Sequence, residues 1–244
     1  MKTKLEMLAV TMILGAFAAH AAVTAPSDAA LAAQVTKRLR DANFDSVTVT
    51  VHDHLATLNG AVDRLSKAER AYQVARKTDG LSGVENHIAV ASGRTDEEIA
   101  RDVTHEIRMF PFYDIFDLVN GDVKNGVVTL RGAVRLPQRF NDYASLAKQV
   151  SGVKAVENQL EVLPSSAYDD QVRVRVARAI YGSSALGFRY GNQALPPIHI
   201  IVKNGNVSLE GAVASQLDKQ LAEQAARFAA TYFQLQNNLQ ISNS

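Results

Sequence analysis

Leu58-Asn59-Gly60-Ala61-Val62 returns as Leu130-Arg131-Gly132-Ala133-Val134 and again as Leu209-Glu210-Gly211-Ala212-Val213, at offsets of 72 and then 79 residues. The same offsets lay Val84-Glu-Asn86-His-Ile88-Ala-Val90 on Val156-Glu-Asn158-Gln-Leu160-Glu-Val162, and both on Leu235-Gln-Asn237-Asn-Leu239-Gln-Ile241. Agreement this long at constant offset marks an internal repeat, and it sets the organisation of the chain before any single element is assigned.

Upstream of the repeated segment each copy opens with an aspartate and an apolar triplet at i, i+4, i+8. These are Asp28 with Leu31, Val35 and Leu39; Asp96 with Ile99, Val103 and Ile107; and Asp169 with Val172, Val176 and Ile180. That spacing puts one apolar stripe on a helix, with the aspartate expected to cap its start. Strict alternation follows in Val47/Val49/Val51, Val119/Gly121/Val123 and Ile198/Ile200/Val202, which predicts a strand with one buried face. Asn125-Gly126 and Asn204-Gly205 supply a tight hairpin turn into a second strand. The first copy has Asp53-His54 there, a poorer choice because histidine at positive φ is uncommon.

A second amphipathic helix is predicted from Ala71/Val74/Ala75/Thr78, Tyr143/Leu146/Ala147/Val150 and Ala222/Ala225/Ala226/Ala229. The segment around Asn86, Asn158 or Asn237 closes each copy as a third strand. The expected fold is α+β: three tandem α-β-β-α-β modules, each with two helices packed on one face of a three-stranded mixed sheet. Their expected spans are 28–92, 95–164 and 168–242, joined by short linkers at 91–94 and 163–167. Gly60, Gly132 and Gly211 read as sites of a bend or of close backbone approach.

Val127-Val-Thr-Leu130-Arg-Gly132-Ala-Val134 and Gly152-Val-x-x-Val156-Glu-Asn158-Gln-Leu160-x-Val162 resemble the BON domain, named for bacterial osmotically inducible and nodulation proteins. The resemblance extends over all three copies. The third departs from it where Thr231 and Tyr232 replace the glycine and valine before the last strand. It implies a periplasmic or envelope protein linked to phospholipid surfaces, envelope integrity or osmotic stress.

The N-terminus points the same way. Lys2 and Lys4 precede an apolar run over 7–19 and then Ala19-His20-Ala21. This is the pattern of a cleavable signal peptide, residues 1–21, cut after Ala21, with the mature chain in the periplasm. The run falls short of the ~20 residues of a spanning helix. Removing Lys2, Lys4 and Glu6 leaves 24 basic and 24 acidic residues from the 26 and 25 of the full chain. Electrical neutrality leaves no footprint for nucleic acid. Without cysteine there is no disulfide, thiolate or lipid-modified cysteine. A peripheral rather than transmembrane association is expected.

Length varies at one place. From the first helix to the first strand the gaps hold 7, 11 and 17 residues, and they carry 8 of the 16 aromatic side chains. Phe110, Phe112, Tyr113, Phe116, Phe188 and Tyr190 are therefore candidate lipid or partner contacts, with Phe110-Pro111-Phe112-Tyr113 expected to be exposed. Packing of these rings within or between modules is the open alternative. Arg175 and Arg178 share a helix face that could meet anionic headgroups. The plainer reading is a solvated face on which Asp169 pairs with Arg173.

His52-Asp53-His54 falls at the hairpin turn and has no counterpart in the other copies, so no metal site is expected. No nucleophile elbow, P-loop, dinucleotide fingerprint or His-Glu-x-x-His is present. The chain is expected to be non-enzymatic, without cofactor, with an anionic phospholipid surface as its partner. The alternative is an envelope-protein partner held by a protein-binding module or holdase.

Overall fold

In the computed structural model, which describes residues 25–91 and 93–242, every module runs helix, hairpin, helix, strand. The expected signal peptide and its cleavage point lie outside the described residues, as does Ser92 in the first linker. The first module comprises α1 (Asp28–Asp41), β1 (Val47–His52), β2 (Leu55–Val62), α2 (Leu65–Ala75) and β3 (Gly83–Val90). The second comprises α3 (Asp96–Arg108), β4 (Leu118–Lys124), β5 (Val127–Val134), α4 (Pro137–Gln149) and β6 (Ala155–Val162). In the third, α5 (Ala167–Tyr181) is followed by a one-turn α6 (Ser184–Leu186) and a π-helical turn (Gly187–Gly191). Then come β7 (Ile198–Lys203), β8 (Asn206–Val213), α7 (Gln216–Ala229), β9 (Gln234–Asn237) and β10 (Gln240–Ile241). The longest of the three gaps is thus partly helical rather than an irregular loop.

Each hairpin is antiparallel and each closing strand runs parallel to the second strand, so all three sheets are mixed. Register repeats as well. Gly60, Gly132 and Gly211 stand opposite Val47, Val119 and Ile198. Backbone φ at these glycines is +132°, +126° and +107°, and an added Cβ would lie 2.2, 2.0 and 2.0 Å from the carbonyl oxygens of Ser46, Leu118 and Pro197. No other residue fits a positive φ and a backbone contact that close. The third closing strand is interrupted at Asn238-Leu239, but β9 and β10 keep one register on β8 (Leu209↔Asn237, Ala212↔Gln240).

The two helices of each module cover one sheet face, and the stripes read from the sequence form the cores. Leu31, Val35 and Leu39, Ile99, Val103 and Ile107, and Val172, Val176 and Ile180 are all buried. The opening aspartates do not cap these helices. Ser27, Thr95 and Ser166 do, each accepting a backbone N–H of the first turn. Instead each aspartate reaches across to the hairpin turn of its own module. Asp28 accepts the N–H groups of Asp53 and His54, both at 2.9 Å. Asp96 accepts those of Asn125 and Gly126, at 2.7 and 2.8 Å. Asp169 accepts those of Asn204 and Gly205, at 2.9 and 2.8 Å. A type I′ turn points two successive amides outward with no strand partner, and a carboxylate at the helix start satisfies both. Asp169 therefore does not pair with Arg173. That arginine is buried, bonded to Asp170 and to the carbonyl of Val202.

The modules join in two different ways. Between the first and second, α2 packs on α4, Lys148 meets Glu69 at 2.6 Å, and Gly152 N–H donates to the Asp63 carbonyl at 2.9 Å. Between the second and third, the open face of one sheet meets β7. Ile201 packs with Ala133, Leu163 and Leu118, and Lys203 pairs with Glu161 at 2.5 Å. The edge of β7 also accepts chain from the second module: Ile200 N–H donates to the Ile115 carbonyl at 2.7 Å. Strand β7 is consequently buried on both faces, while α7 packs on α5, α6 and its own sheet.

Candidate functional site

The aromatic segment of the second module is a junction more than a surface. Phe110 and Tyr113 are half-buried and meet Tyr143 edge-on at 5.8 and 5.9 Å. Tyr113 also faces His199 of the third module at 5.6 Å. Phe116 packs against the third module's core, with Arg135 6.0 Å from its ring centroid. Only Phe112 stands out, 61% exposed, under the Arg139 guanidinium at 4.7 Å. The expected exposure of Phe110 and Tyr113 is thus replaced by packing, because the extra residues of this gap span from one module to the next.

Buried polar groups hold that junction. The Asp117 carboxylate accepts the Tyr143 hydroxyl at 2.6 Å and Arg135 N–H at 2.8 Å. Burial nevertheless raises its pKa above the ordinary carboxylate value. The Asp117 carbonyl lies 2.6 Å from His199 Nδ1. A carbonyl only accepts, so Nδ1 carries the proton in the neutral ring. Burial lowers the histidine's pKa and keeps it neutral, and burial pushes the Tyr113 phenol up to about 12.

Tyr190 is also unavailable to a partner. It is 5% exposed; its hydroxyl donates to Asp218 at 2.9 Å and accepts Ala214 N–H at 2.8 Å. Asp218 is itself buried, which would raise its pKa. Hydrogen bonds from Ser215, Arg189 and Tyr190 hold it below the usual value instead. This knot ties the helical insertion of the third module to the start of α7. Phe188, from the same insertion, is exposed, as are Arg175 and Arg178 on α5.

Two further phenylalanines, nearly as exposed as Phe188, lie elsewhere on the third module. Phe228 and Phe233 are each 84% exposed, and Leu217, Tyr168 and Val174 are exposed as well. Leu217 and Phe228 are 11 residues apart on α7, three helical turns, so both project from one side, about 16 Å apart. Phe233 follows the helix and lies beside Tyr168, both rings closing over Gly205. The repeat supplies a signal for these positions. At the constant offsets, Leu217 replaces Ser66 and Gln138, Phe228 replaces Lys77 and Gln149, and Phe233 replaces Ser82 and Lys154. Three polar positions of the first two modules have turned apolar in the third.

Asn86, Asn158 and Asn237 are structural in every copy. Each side-chain amide donates to a carbonyl of the second helix, of Ala68, Phe140 and Lys219, and each carbonyl oxygen accepts the N–H two residues on. Among the described residues no group of three or more His, Asp or Glu is placed to hold a metal. His52 contacts Asp53, while His87 contacts Glu85 on another strand. No described helix is long and apolar enough to cross a membrane.

Comparison with known proteins accords with this geometry. The BON domain family model matches residues 27–92, 95–164 and 169–243. The chain belongs to the BON domain family. The chain is similar to Osmotically-inducible protein Y of Escherichia coli K12, 32% identical over 146 residues, 55% of this chain and 72% of that protein. It is also similar to an uncharacterised protein in the gshII 5′ region of Anaplasma centrale, 33% identical over 137 residues, 53% of this chain and 90% of that protein. Among solved structures, CdsD of the Chlamydia trachomatis Type III secretion system aligns over 86% of this chain and 91% of its own, at 13% identity and a TM-score of 0.24. Among the described residues the third BON module, rather than the aromatic segment of the second, carries the most exposed phenylalanines.

Proposed function

We propose that this is a non-catalytic periplasmic BON-array protein that settles peripherally on anionic phospholipid surfaces and supports the envelope under osmotic stress. One observation carries the reading. Leu217, Phe228 and Phe233 stand exposed where the other two modules keep serine, lysine or glutamine. Family membership and similarity to an osmotically inducible protein support the setting.

Magnitudes decide which residues matter. Withdrawing a large apolar side chain from water contributes about 1.5–3 kcal/mol, whereas an arginine near an anionic surface contributes about 1 kcal/mol. The expected mature chain carries no net charge. Attachment therefore rests on the apolar side chains, with Arg175 and Arg178 favouring anionic lipid. In the test, the chain from residue 22 is sedimented with liposomes of graded anionic content. The Phe228→Ser/Phe233→Ser variant should remain in the supernatant while its unfolding temperature stays within a few degrees of wild type. Equal sedimentation of both proteins would refute the reading.

A second reading, capture of extended envelope-protein segments, is favoured by the edge of β7. That edge already donates one backbone hydrogen bond to the turn at Ile115, while among the described residues the matching edge of β1 has no partner from another module. It predicts suppression of client aggregation without lipid.

A further inference from the structure

Strand β4 carries Gly121 opposite Leu130. The equivalent positions in the other sheets, opposite Leu58 and Leu209, hold Val49 and Ile200. A core-facing β-branched side chain is therefore missing from the second module alone. A Cβ built on Gly121 would meet only Leu130 and Val103, both at 3.8 Å. That is ordinary contact distance, with no positive φ to demand glycine, so the backbone does not explain the residue. Its effect is space: a cleft of about 300 Å³ opens over Gly121 between α3, β4 and the third module.

The chemistry of the lining is one-sided. Val103, Ile107, Leu118, Leu195 and Pro197 supply apolar walls. Thr104 and Asn120 contribute neutral polar groups. Among the described residues Arg108 is the one permanently charged side chain in the lining, and no carboxylate shares it. Tyr113 and His199 close the inner end, both neutral near pH 7. Next to it, across Thr104 and Arg108, a shallower recess adds Arg101 and His105, again without an acid. Among the described residues Arg108 and Arg101 form no ion pair. At about 30 Å³ per water-sized group, the cleft holds on the order of ten heavy atoms, the lower end of the size range of small-molecule sites.

We propose that the cleft between the second and third modules binds a small amphipathic monocarboxylate. Its aliphatic body lies over Gly121 and its carboxylate meets Arg108. The site is separate from the apolar side of α7, so it stands or falls independently of membrane attachment.

Octanoate, with ten heavy atoms, is the probe. It is titrated by calorimetry into the chain from residue 22, with octanamide as the uncharged match. Wild type should bind octanoate saturably at one site and at least tenfold more tightly than octanamide. Gly121→Val fills the floor and should weaken octanoate at least tenfold while raising the unfolding temperature, because a β-branched residue replaces a strand glycine. Arg108→Gln, an exposed change, should erase the preference for octanoate over octanamide and leave liposome sedimentation unchanged. Absence of saturable binding by wild type would overturn the proposal. So would unaltered octanoate affinity in folded Gly121→Val, or an unaltered octanoate preference in Arg108→Gln. Octanoate bound to wild type only when liposomes are present would assign the anion site to the bilayer and equally overturn it.

Discussion

Replacing Asp169 by alanine removes the acceptor for two backbone N–H groups at once. The Gly205 amide is buried and the Asn204 amide partly so, and Asp169 itself is fully buried. Orphaning a buried donor costs about 1–3 kcal/mol. The Gly205 amide, which water cannot reach without opening the turn, should lie at the upper end, and the Asn204 amide at the lower. The sum for Asp169→Ala is about 3–4 kcal/mol. In the second module the same clasp is wetter: the Asn125 amide is exposed and the Gly126 amide partly buried. Asp96→Ala should therefore cost about 1–2 kcal/mol. Amide hydrogen exchange reads each hairpin separately, which a global melt of three coupled modules does not. Exchange at Gly205 should accelerate by well over a hundredfold in Asp169→Ala, and exchange at Gly126 by about tenfold in Asp96→Ala. Equal acceleration in the two variants, or protection of Gly205 retained in Asp169→Ala, would refute the reasoning.

Gly132→Ala should destabilise the second module by about 3 kcal/mol or more, visible in urea unfolding, because the new Cβ would lie 2.0 Å from the Leu118 carbonyl oxygen at a φ of +126°. Tyr190→Phe removes two hydrogen bonds of a buried hydroxyl and should cost about 1–3 kcal/mol. Phe188→Ser, in the same helical insertion but exposed, should stay within about 0.5 kcal/mol, so the pair separates packing from surface. His199 supplies a pH dependence. Burial holds its folded pKa below the ordinary histidine value of about 6.5, so the unfolded chain takes up a proton first as pH falls. Stability from this residue is fully present above about pH 6.5 and is lost as pH falls through the folded pKa. His199→Gln should flatten the decline in unfolding temperature between about pH 7 and pH 5, and an identical slope in both proteins would contradict the assignment.

Much of the fold was legible because the repeat made each prediction three times over. Alternation at Ile198, Ile200 and Val202 gave one face of β7. Periodicity could not show that Ile201 and His199, on the other face, are covered by the second module, since a pattern of period two records one buried face and not what lies on the other. The aspartates at the helix starts were visible, but the cap they suggested belongs to Ser27, Thr95 and Ser166. Their own partners lie 25 to 36 residues away in the turn, a distance that composition does not encode. Within the aromatic gaps Phe112 and Phe188 are exposed as expected, whereas Phe110 and Tyr113 take the alternative of packing. Phe110 and Tyr113 pack on Tyr143, whose ring the sequence placed only on its own helix face. Phe228 and Phe233 could have been found by comparing the copies position by position, as apolar residues where Gln149 and Lys154 stand.

The absence of cysteine from the chain permits the most direct test of the central proposal, that the third module meets the membrane. Single Phe228→Cys and Phe112→Cys variants, labelled with an environment-sensitive fluorophore, are mixed with anionic liposomes containing a quencher in the acyl region. The account predicts a blue shift and strong quenching at position 228 and little change at position 112. Quenching at 112 and not at 228, or at neither, would contradict it.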